Sequence, residues 1–487
     1  MVSPEGLALL IDSRPWRFGE LDSLASRFAG YLAGVGVRPG DHVATLLPNS
    51  LTAVLSVFAL VRLGAVLVPL NTRLTAEEIA WQVERADATR LLADETLANR
   101  VTVAVPAHSL PGGAAELAGW LNDCQPLSPE REAPPPFDAT QAIVFTSGTT
   151  GRPKGAMIRF ANHFWSAAAS AFRLGVQSGD RWLACLPLYH VGGLAVLFRS
   201  CLYGTTVVLH NGFDVTAVRE SLRGEGVTVV SLVPTMLNRL LRDGWRGADS
   251  PALRLVLLGG AAAAPALLQE AAEAGVPVAT TYGLTEAASQ VATLPPEGAR
   301  DKPGSAGRPL LFTQIRILDD SGAPLPVRAP GEIAVTGPTI MAGYYRDDAA
   351  TRIAIRNDWL LTGDLGYVDD DGDLWILDRR SDLIVSGGEN VYPAEVERVL
   401  RAHPAVALAC VVGLPHPDWG QQVAAVVVLT DLGAATADEL IDHCRARLAG
   451  YKRPRRIFFA DALPQTASGK VQRRAMIEQL LAQEASV

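Results

Sequence analysis

The chain has 487 residues, and 43 Lys+Arg against 51 Asp+Glu give it a formal net charge of −8. Hydrophobic residues make up 48% of the sequence and charged residues 19%, which excludes fibrous, disulfide-scaffold and intrinsically disordered proteins. The length exceeds what one hydrophobic core usually serves, so we expect more than one domain. The acidic balance gives no reason to expect nucleic-acid binding.

Cysteine usage and hydropathy indicate where the protein works. The five cysteines are scattered and form no CxxC pair, which is typical of a reducing compartment. No charged and apolar leader opens the chain, so no secretion signal is predicted. The most apolar run, from Leu51 to Leu70, contains Arg62 and Pro69, which favour a core helix followed by a buried strand. We therefore expect a cytoplasmic enzyme without a membrane span.

Helix and strand patterns alternate through the first three quarters of the chain. A proline-rich, charged connector at 125–138 precedes an apolar strand from Ala142 to Phe145. Strands are predicted from Thr228 to Val233 and from Leu253 to Leu258, and a helix from Pro265 to Gly275. Strands about 20 residues apart with helices between them indicate a parallel, helix-covered sheet, whose ligands lie at the carboxyl ends of its strands.

The pattern changes after Asp378. The elements predicted there are helices at 393–403 and 437–448, strands at 406–412 and 423–429, and a basic helix after Lys470. They make a compact unit of about 100 residues. We predict an α/β protein with a large N-terminal domain of several subdomains and mostly parallel sheets over residues 1–380. A small, mobile α+β domain is predicted over residues 381–487.

The loop at 146–155 carries the strongest chemical signal. It supplies four hydroxyls, three glycines and two cations directly after a buried strand. Glycine lets backbone N–H groups point at an anion, and hydroxyls and lysine add donors for phosphate oxygens. The loop differs from a Walker A loop, because Pro153 precedes Lys154 and Gly155 follows it. It is predicted to bind phosphate, with an exposed turn as the alternative, through Thr146, Ser147, Gly148, Thr149, Thr150, Gly151 and Lys154.

Six motifs, in this order, resemble those of the adenylate-forming superfamily of acyl-CoA synthetases, adenylation domains and luciferase. They are the 146–155 loop, Tyr282 to Glu286, Thr362 to Asp364, Asp378 to Asp382, Ser386 to Asn390, and Gly469-Lys470. Within the superfamily, segments 180–194, 282–294 and 377–397 resemble the 2-succinylbenzoate–CoA ligases of menaquinone synthesis. The resemblance implies that ATP and Mg²⁺ convert a carboxylate into an acyl-adenylate, from which the CoA thiol then displaces AMP.

The resemblance also implies a nucleotide site. Thr285 would contact phosphate and Glu286 would hold Mg²⁺, although a carboxylate stabilised by a helix dipole is an alternative for Glu286. Tyr282 would present its ring to adenine, or serve only as a structural aromatic at a strand end. Gly260 would let the backbone approach the purine. Asp364 would accept from the ribose hydroxyls, unless it is an ordinary turn aspartate.

The remaining nucleotide and CoA residues lie at the predicted boundary or beyond it. Arg379 would join the nucleotide site, although Asp378 stands where the family usually has glycine. Lys470 would be the cation that bridges the substrate carboxylate and the leaving phosphate. By resemblance, the small domain swings about Ser381 after adenylation, which withdraws Lys470 and brings Gly387 and Gly388 to a CoA tunnel.

The acyl pocket is expected around His190, which would contact the carboxylate or gate CoA; a packed core histidine is the alternative. Ser289 and Gln290 are further candidate pocket walls. Succinylbenzoate carries a second, spectator carboxylate, and Arg199 is the nearest cation after the His190 segment.

Alternative functions are another acyl- or aryl-CoA synthetase, a stand-alone adenylation domain, or a non-catalytic nucleotide-binding protein. The expected partners are a small carboxylate, ATP and CoA, without nucleic acid. A homodimer is one arrangement of the chain that the sequence leaves open.

Overall fold

The structure is a computed structural model that describes residues 3–128, 130, 135–146, 153–261, 263–378, 383–431, 434–464, 471 and 473–484. The chain forms two compact units. The large unit contains residues Met1–Thr72, Ala80–Phe145 and Gly155–Leu377, and the small unit contains Arg73–Ile79, Thr146–Lys154 and Asp378–Val487. Residues 380 and 381, where we predict the domain boundary, lie outside the described residues, so that boundary stays a prediction.

The strands up to residue 378 are, in chain order, β1 (Leu7–Ile11), β2 (Arg14–Arg17), β3 (His42–Leu46), β4 (Val66–Pro69), β5 (Ala88–Asp94), β6 (Ala107–Leu110), β7 (Thr140–Thr146), β8 (Lys154–Arg159), β9 (Arg181–Ala184), β10 (Thr206–Leu209), β11 (Val229–Leu232), β12 (Leu255–Leu258), β13 (Val278–Leu284), β14 (Ser289–Leu294), β15 (Ser305–Pro309), β16 (Gln314–Leu318), β17 (Gly331–Thr336), β18 (Ile355–Arg356), β19 (Trp359–Val368) and β20 (Leu374–Asp378).

The α-helices in the same part of the chain are α1 (Phe18–Gly34), α2 (Leu51–Leu63), α3 (Ala76–Arg85), α4 (Glu95–Ala98), α5 (Ala114–Asn122), α6 (Phe160–Leu174), α7 (Val191–Tyr203), α8 (Val215–Gly224), α9 (Pro234–Arg242), α10 (Pro265–Glu273), α11 (Pro296–Ala299) and α12 (Asp348–Ala354). The run from Leu51 to Leu70 thus forms helix α2 and strand β4, as predicted. Helix α2 ends at Gly64, which adopts the left-handed conformation.

Two sheets organise this part of the chain. Over the described residues, a six-stranded sheet has the order β6-β5-β3-β4-β7-β8. A fourteen-stranded sheet has the order β16-β17-β19-β20-β15-β14-β13-β12-β11-β9-β10-β1-β2, with β18 beside β19. From β1 through β10, β9, β11 and β12 to β13, neighbouring strands are parallel. The predicted α/β fold is therefore confirmed, and this stretch of the large sheet is parallel as predicted.

Both faces of the parallel stretch are covered by helices. Strands β10, β11 and β12 are buried along their whole length. Alternate residues belong to different cores: Val256 and Leu258 of β12 pack with helices α8 to α10, whereas Leu255 and Leu257 pack with α7. Continuous β-branched and leucine runs suit strands that are buried on both faces, which explains why the sequence revealed them.

Pairing becomes antiparallel from β13 towards β16. Strand β14 returns along β13 directly after the turn at Thr285–Ala287. This change was not predicted from the sequence, because the residues of the turn, Thr285–Ala287, carry no recognisable hairpin signature. The consequence is that β13 is the last parallel strand, and the loop at its carboxyl end is a tight hairpin.

The C-terminal part of the small unit contains β21 (Ile384–Ser386), β22 (Glu389–Val391), α13 (Pro393–Arg401), β23 (Val406–His416), β24 (Gly420–Leu429), α14 (Ala437–Arg445), β25 (Arg456–Phe459) and α15 (Arg473–Glu484). Its sheet has the order β22-β21-β24-β23, with β25 beside β24. This α+β arrangement is confirmed. Cys410, Val426, Leu463 and Met476 belong to its core.

Two acidic residues of α13, Glu395 and Glu397, are buried and paired with cations. Glu397 accepts from Arg473 Nη2 at 2.7 Å and from the backbone N–H of Val411 at 2.9 Å. Glu395 accepts from Lys452 Nζ at 2.8 Å, and both of these side chains are buried. The Glu397 contacts hold the start of α15 against α13 and β23.

Candidate active site

Loops after the parallel strands bring several predicted residues to one edge of the large sheet. Strands β9, β11, β12 and β13 are neighbours and run in the same direction. The segment before His190 follows β9, Gly260 follows β12, and Glu286 follows β13. The carboxyl ends of parallel strands share one edge of their sheet, which is where ligands of such folds bind.

The predicted phosphate loop is described only at its two ends. Thr146 ends β7 and Lys154 begins β8. The Thr146 hydroxyl donates to the Lys154 carbonyl oxygen at 3.4 Å, which ties the ends of the loop together. Ser147, Gly148, Thr149, Thr150 and Gly151 lie outside the described residues, and phosphate binding by this loop stays a prediction.

The turn after β13 holds the predicted magnesium ligand. Thr285 and Glu286 lie in a 3₁₀ turn, and both are half-buried. The Tyr344 hydroxyl donates to Glu286 Oε1 at 2.8 Å, and the Met341 N–H donates to the Glu286 carbonyl oxygen at 2.9 Å. These bonds orient a carboxylate, the type of ligand that Mg²⁺ prefers, so the residues present fit a magnesium ion.

The same hairpin is tightly closed. A Cβ atom on Gly283 would lie 1.8 Å from the Ser289 carbonyl oxygen, so only glycine fits there. Ala288 and Ser289 both have positive φ angles, of 50° and 99°. Such backbone angles are costly for non-glycine residues and persist where the surroundings impose them. The turn therefore holds Glu286 and Ser289 in fixed positions.

Tyr282 and Asp364 are brought together, which the sequence did not show. Tyr282 lies in β13, and its hydroxyl donates to Asp364 Oδ2 in β19 at 2.6 Å. Both side chains are buried. The backbone of Asp364 is also fixed, because its N–H donates to the Thr362 hydroxyl at 3.1 Å. Tyr282 thus positions the carboxylate for which we predict ribose binding. Gly260 lies after β12 with a φ of +80°.

His190 begins α7 as its N-cap residue. Its ring meets the Tyr189 ring edge-on at a centroid distance of 4.8 Å. Glycine is required three residues later, at Gly193, because a Cβ there would lie 2.2 Å from the Pro187 carbonyl oxygen. Asn49 fixes the same loop: its amide donates to the Leu186 and His210 carbonyls and accepts from the Leu188 N–H.

Arg199 of α7 points inward and is only 2% exposed. Its Nη2 donates to Ser289 Oγ at 3.2 Å and lies 3.4 Å from Ser166 Oγ. The guanidinium also lies 5.6 Å from the centre of the Trp182 ring. Burial lowers the pKa of the guanidinium. The cation is thus beside Ser289, a residue we predicted as a pocket wall, and it is held by neutral groups.

Gln290 and His163 are two further buried polar residues of this region. The Gln290 amide donates to Thr293 Oγ1 at 3.0 Å within β14. His163 of α6 bonds Gln141 Oε1 through Nε2 at 2.9 Å and stacks on Phe198 at 4.0 Å. Burial, and then the Arg199 charge, lower the pKa of His163 to about 3. His163 is therefore neutral and adds no second positive charge.

In the small unit, Gly387 and Gly388 form the turn between β21 and β22, with φ angles of +59° and +83°. The Gly387 N–H donates to the Trp419 carbonyl oxygen at 2.9 Å. Arg379, Ser381 and Lys470 lie outside the described residues. Their predicted roles in nucleotide binding, hinge motion and adenylation remain predictions.

Sequence reasoning missed three residues of this site. Tyr344 orients Glu286, Asn49 holds the loop before His190, and His163 lies beside Arg199. Two runs in an apolar context are the sequence signals that could have identified Tyr344 and Asn49: Gly343-Tyr344-Tyr345 and Pro48-Asn49-Ser50. Nothing in the sequence around His163 distinguishes it from a packed core residue.

Replacing Tyr282 with phenylalanine should raise the KM for ATP about 10-fold and leave kcat little changed, because the Asp364 carboxylate loses a buried donor. Steady-state kinetics of pyrophosphate release measure both constants. Tyr345→Phe is the matched control, since the half-buried Tyr345 hydroxyl donates to a different carboxylate, Asp87, at 2.7 Å. An equal rise in KM for both variants would contradict the assignment of Asp364 to the nucleotide.

His163 should make the protein sensitive to acid. Its pKa in the folded state is about 3, against about 6.5 when unfolded, so only the unfolded state binds a proton there between these values. Its contribution to stability is therefore complete above pH 6.5 and declines as the pH falls. The loss reaches about 2 kcal/mol at pH 5.

Urea unfolding at pH 7 and pH 5 tests this expectation. The free energy of unfolding of His163→Gln, relative to the native sequence, should rise by that amount on acidification. Ser170→Ala, a buried change on the same helix, should show the same difference at both pH values. A pH-independent difference for His163→Gln would contradict the assigned neutral state.

Among the described residues, no helix is both long and apolar enough to cross a membrane. The sequence matches the family described as AMP-binding enzyme over residues 2–345, and AMP-binding enzyme C-terminal domain over residues 395–470.

Known proteins resemble the chain along nearly its whole length. A 2-succinylbenzoate–CoA ligase of Bacillus velezensis is 45% identical, and the alignment covers 98% of this chain and 96% of the relative. A double mutant of the Bacillus subtilis o-succinylbenzoate CoA synthetase (MenE), bound to the product analogue OSB-NCoA, matches with a TM-score of 0.90 and 42% identity, covering 98% and 96% of the two chains.

The Bacillus subtilis enzyme in complex with ATP and magnesium ion matches with a TM-score of 0.72 and 41% identity, covering 97% of each chain. The motif order, the parallel sheet with its ligand edge, and these matches agree. The chain belongs to the AMP-binding enzyme family of adenylate-forming enzymes.

Proposed function

We propose that the chain is an ATP-dependent 2-succinylbenzoate–CoA ligase of menaquinone synthesis. It adenylates 2-succinylbenzoate and transfers the acyl group to CoA, giving 2-succinylbenzoyl-CoA, AMP and pyrophosphate. The relatives named above carry this activity in their names and are 41–45% identical to the chain. The observation that carries the proposal within the family is the buried Arg199 beside Ser289.

Arg199 suits the spectator carboxylate of this substrate. Placing a cation in a buried site is costly unless an anion or several hydrogen bonds compensate it. The described contacts of its guanidinium are with two hydroxyls and an aromatic ring, which are neutral groups. A substrate carboxylate would supply the missing negative charge, and the planar guanidinium can bind it through two parallel bonds.

The chain's own residues divide the first reaction among them. The 146–155 loop holds the triphosphate with Thr285, Glu286 holds the magnesium ion, and Tyr282, Gly260, Asp364 and Arg379 hold the nucleoside. Magnesium, when bound, neutralises phosphate charge. A substrate carboxylate oxygen attacks the α-phosphorus while the bond to pyrophosphate breaks, and Lys470 stabilises the charge on both groups.

In the second reaction the CoA sulfur attacks the acyl carbon, and the bond from that carbon to AMP breaks. His190 contacts the acyl carboxylate or gates CoA, while Ser289 and Gln290 line the acyl site. We propose that residues 1–380 and 381–487 are the two domains that exchange conformations about Ser381. This motion would replace Lys470 by the Gly387-Gly388 turn between the reactions.

A panel of carboxylic acids tests the proposed substrate. With ATP and Mg²⁺, pyrophosphate release should be fastest with 2-succinylbenzoate, compared with benzoates, malonate and medium-chain acids. Addition of CoA should yield the thioester. Equal rates across the panel would favour a different acyl- or aryl-CoA synthetase. An acyl-adenylate that CoA leaves intact would favour a stand-alone adenylation domain, and ATP binding without acid-dependent pyrophosphate release would favour a non-catalytic protein.

The proposed substrates are small molecules, and the proposal places the enzyme in the cytoplasm, without a nucleic-acid partner. The scattered free cysteines and the net charge of −8 support this setting. We further propose that the chain works as a homodimer.

A further inference from the structure

Helix α6 has its polar and apolar faces reversed. Its buried residues include Asn162, His163, Ser166 and Ser170. The side chains turned to solvent are apolar instead: Phe164 is 39% exposed and Phe172 is 75% exposed. Ala161 and Ala168 belong to the same side of the helix and are half-buried. A surface helix normally places its apolar stripe against the core, so this outward stripe indicates a partner that covers it.

The apolar side chains continue beyond the helix as a chain of ring contacts. Phe137 meets Phe164 at a centroid distance of 5.4 Å, and Phe164 meets Trp165 at 5.3 Å. Trp165 in turn meets Phe312 at 5.1 Å. Phe137 and Phe312 are each more than half exposed. We call Phe137, Phe164, Trp165, Ala168, Phe172 and Phe312 the aromatic face.

Phe312 is held outward at a cost in backbone energy. Its φ angle is +66°, which is rare for a bulky side chain. The Arg173 side chain donates to the Pro309 carbonyl oxygen at 3.0 Å and so ties the end of α6 to the segment that carries Phe312. The free-energy cost of this backbone conformation and of the exposed phenyl ring would be offset if a partner covered the ring.

We propose that the aromatic face is the interface between two copies of this chain, related by a two-fold axis that passes beside Ala168. The proposal deepens the homodimer proposed above and is independent of the acyl substrate. Phe164 and Phe172 lie four residues on either side of Ala168, about 6 Å along the helix axis in each direction. When two α6 helices cross antiparallel at Ala168, Phe164 of one copy meets Phe172 of the other.

Charges at the two ends of the aromatic face are complementary in this arrangement. The exposed Asp138 follows Phe137 at one end, where the Ala161 N–H donates to the Phe137 carbonyl oxygen at 2.7 Å. Arg173 and Arg308 lie at the other end: burial and then the Arg308 charge lower the pKa of Arg173, while Asp373, 3.8 Å from Arg308 Nε, raises it and leaves two cations against one carboxylate. The antiparallel two-fold brings the acidic end of each copy to the basic end of the other, which favours a second copy over an unrelated surface.

The area of the aromatic face also suits a dimer. The exposed parts of its aromatic side chains present on the order of 500 Å² of apolar surface. A stable interface buries about 800 Å² per partner, somewhat more than half of it apolar. The aromatic face can therefore form the apolar centre, while Asp138, Arg173 and Arg308 contribute to the polar rim.

Sedimentation velocity of the full-length protein tests the interface. At about 10 µM the native chain should sediment as a dimer, and Phe164→Glu should raise the dissociation constant at least about 100-fold. Ile353→Glu is the matched control, since Ile353 is 62% exposed on α12, and it should leave the dimer intact. Pyrophosphate release that requires the carboxylic acid substrate shows that the Phe164→Glu monomer is folded. The test of the interface is therefore separate from the test of which acid is the substrate.

Three further single variants and one double variant test the position of the two-fold axis. Ala168→Cys should form a dimer linked by a disulfide on mild oxidation, because a residue beside the axis faces its own copy. Asp138→Arg and Arg308→Glu should each weaken the dimer, and the double variant should restore it.

A native chain that sediments as a monomer would overturn the proposal. So would a dimer that Phe164→Glu leaves unchanged, or one in which Ala168→Cys does not cross-link. A monomer that binds phosphatidylcholine vesicles through Phe164 and Phe172 would overturn it in favour of a lipid surface.

Discussion

Arg199→Gln should lower kcat/KM for 2-succinylbenzoate about 100-fold while leaving the binding of ATP unchanged. The variant keeps a polar side chain of similar length but removes the positive charge that lies 3.2 Å from Ser289 Oγ. A spectator carboxylate transferred into this buried site would then lack a counter-charge, and such losses cost about 3 kcal/mol. Pyrophosphate release at varied acid concentration measures the effect.

A substrate without the second carboxylate separates binding from general damage. For 4-oxo-4-phenylbutanoate, the same acid lacking the ring carboxylate, Arg199→Gln should change kcat/KM by less than about 5-fold. For 2-succinylbenzoate, the kcat/KM of Arg199→Lys should lie between those of the native enzyme and Arg199→Gln, because lysine keeps the charge but lacks the planar pair of donors. An equal loss for both acids would show that Arg199 supports the fold rather than the carboxylate.

Lys470→Ala should reduce adenylation at least about 1,000-fold and leave the second half-reaction intact. Lys470 is proposed to stabilise charge only while the carboxylate attacks the α-phosphorus. Thioester formation from a chemically supplied 2-succinylbenzoyl-adenylate and CoA should therefore proceed at the native rate. Rapid-quench measurements of each half-reaction report the two rates separately.

Lys302, one of only four lysines in the chain, provides the control for Lys470→Ala. Lys302 bonds the carboxylates of Asp369, Asp371 and Asp373 at 2.6–2.8 Å in the large unit. Lys302→Ala should lower stability and leave the ratio of the two half-reactions unchanged. Equal losses in both half-reactions for Lys470→Ala would contradict the proposal that the small domain withdraws this lysine between them.

The fold was largely predictable, because its parallel strands are buried on both faces and therefore form continuous apolar runs between turn residues. Strand β12, helix α10 and the elements of the small unit follow directly from such patterns. The antiparallel half of the large sheet was missed, since the hairpin after β13 depends on a close backbone approach that Gly283 permits beside Ser289, and not on a recognisable turn sequence.

The sequence offers candidate site residues where a motif carries them, but it does not show where distant segments meet. Tyr282 and Asp364 are 82 residues apart, and their bond could not be read from either motif. Arg199 could be proposed only as a nearby cation, because its inward direction depends on how α7 packs against α6 and β14. The reversed polarity of α6 went unnoticed, since its sequence has ordinary helical spacing and burial alone distinguishes its faces.

The hairpin after β13 has a consequence for attempts to change the acid that the enzyme accepts. Within eight residues it carries Tyr282, Glu286 and Ser289, for which we propose contacts with the nucleotide, the metal ion and the acyl group. On that proposal, substitutions in this one segment should alter all three functions together. Arg199 and Ser166 project from helices α7 and α6 instead. Libraries that vary these helical positions can explore new acids while ATP activation is preserved, and natural divergence of the family faces the same constraint.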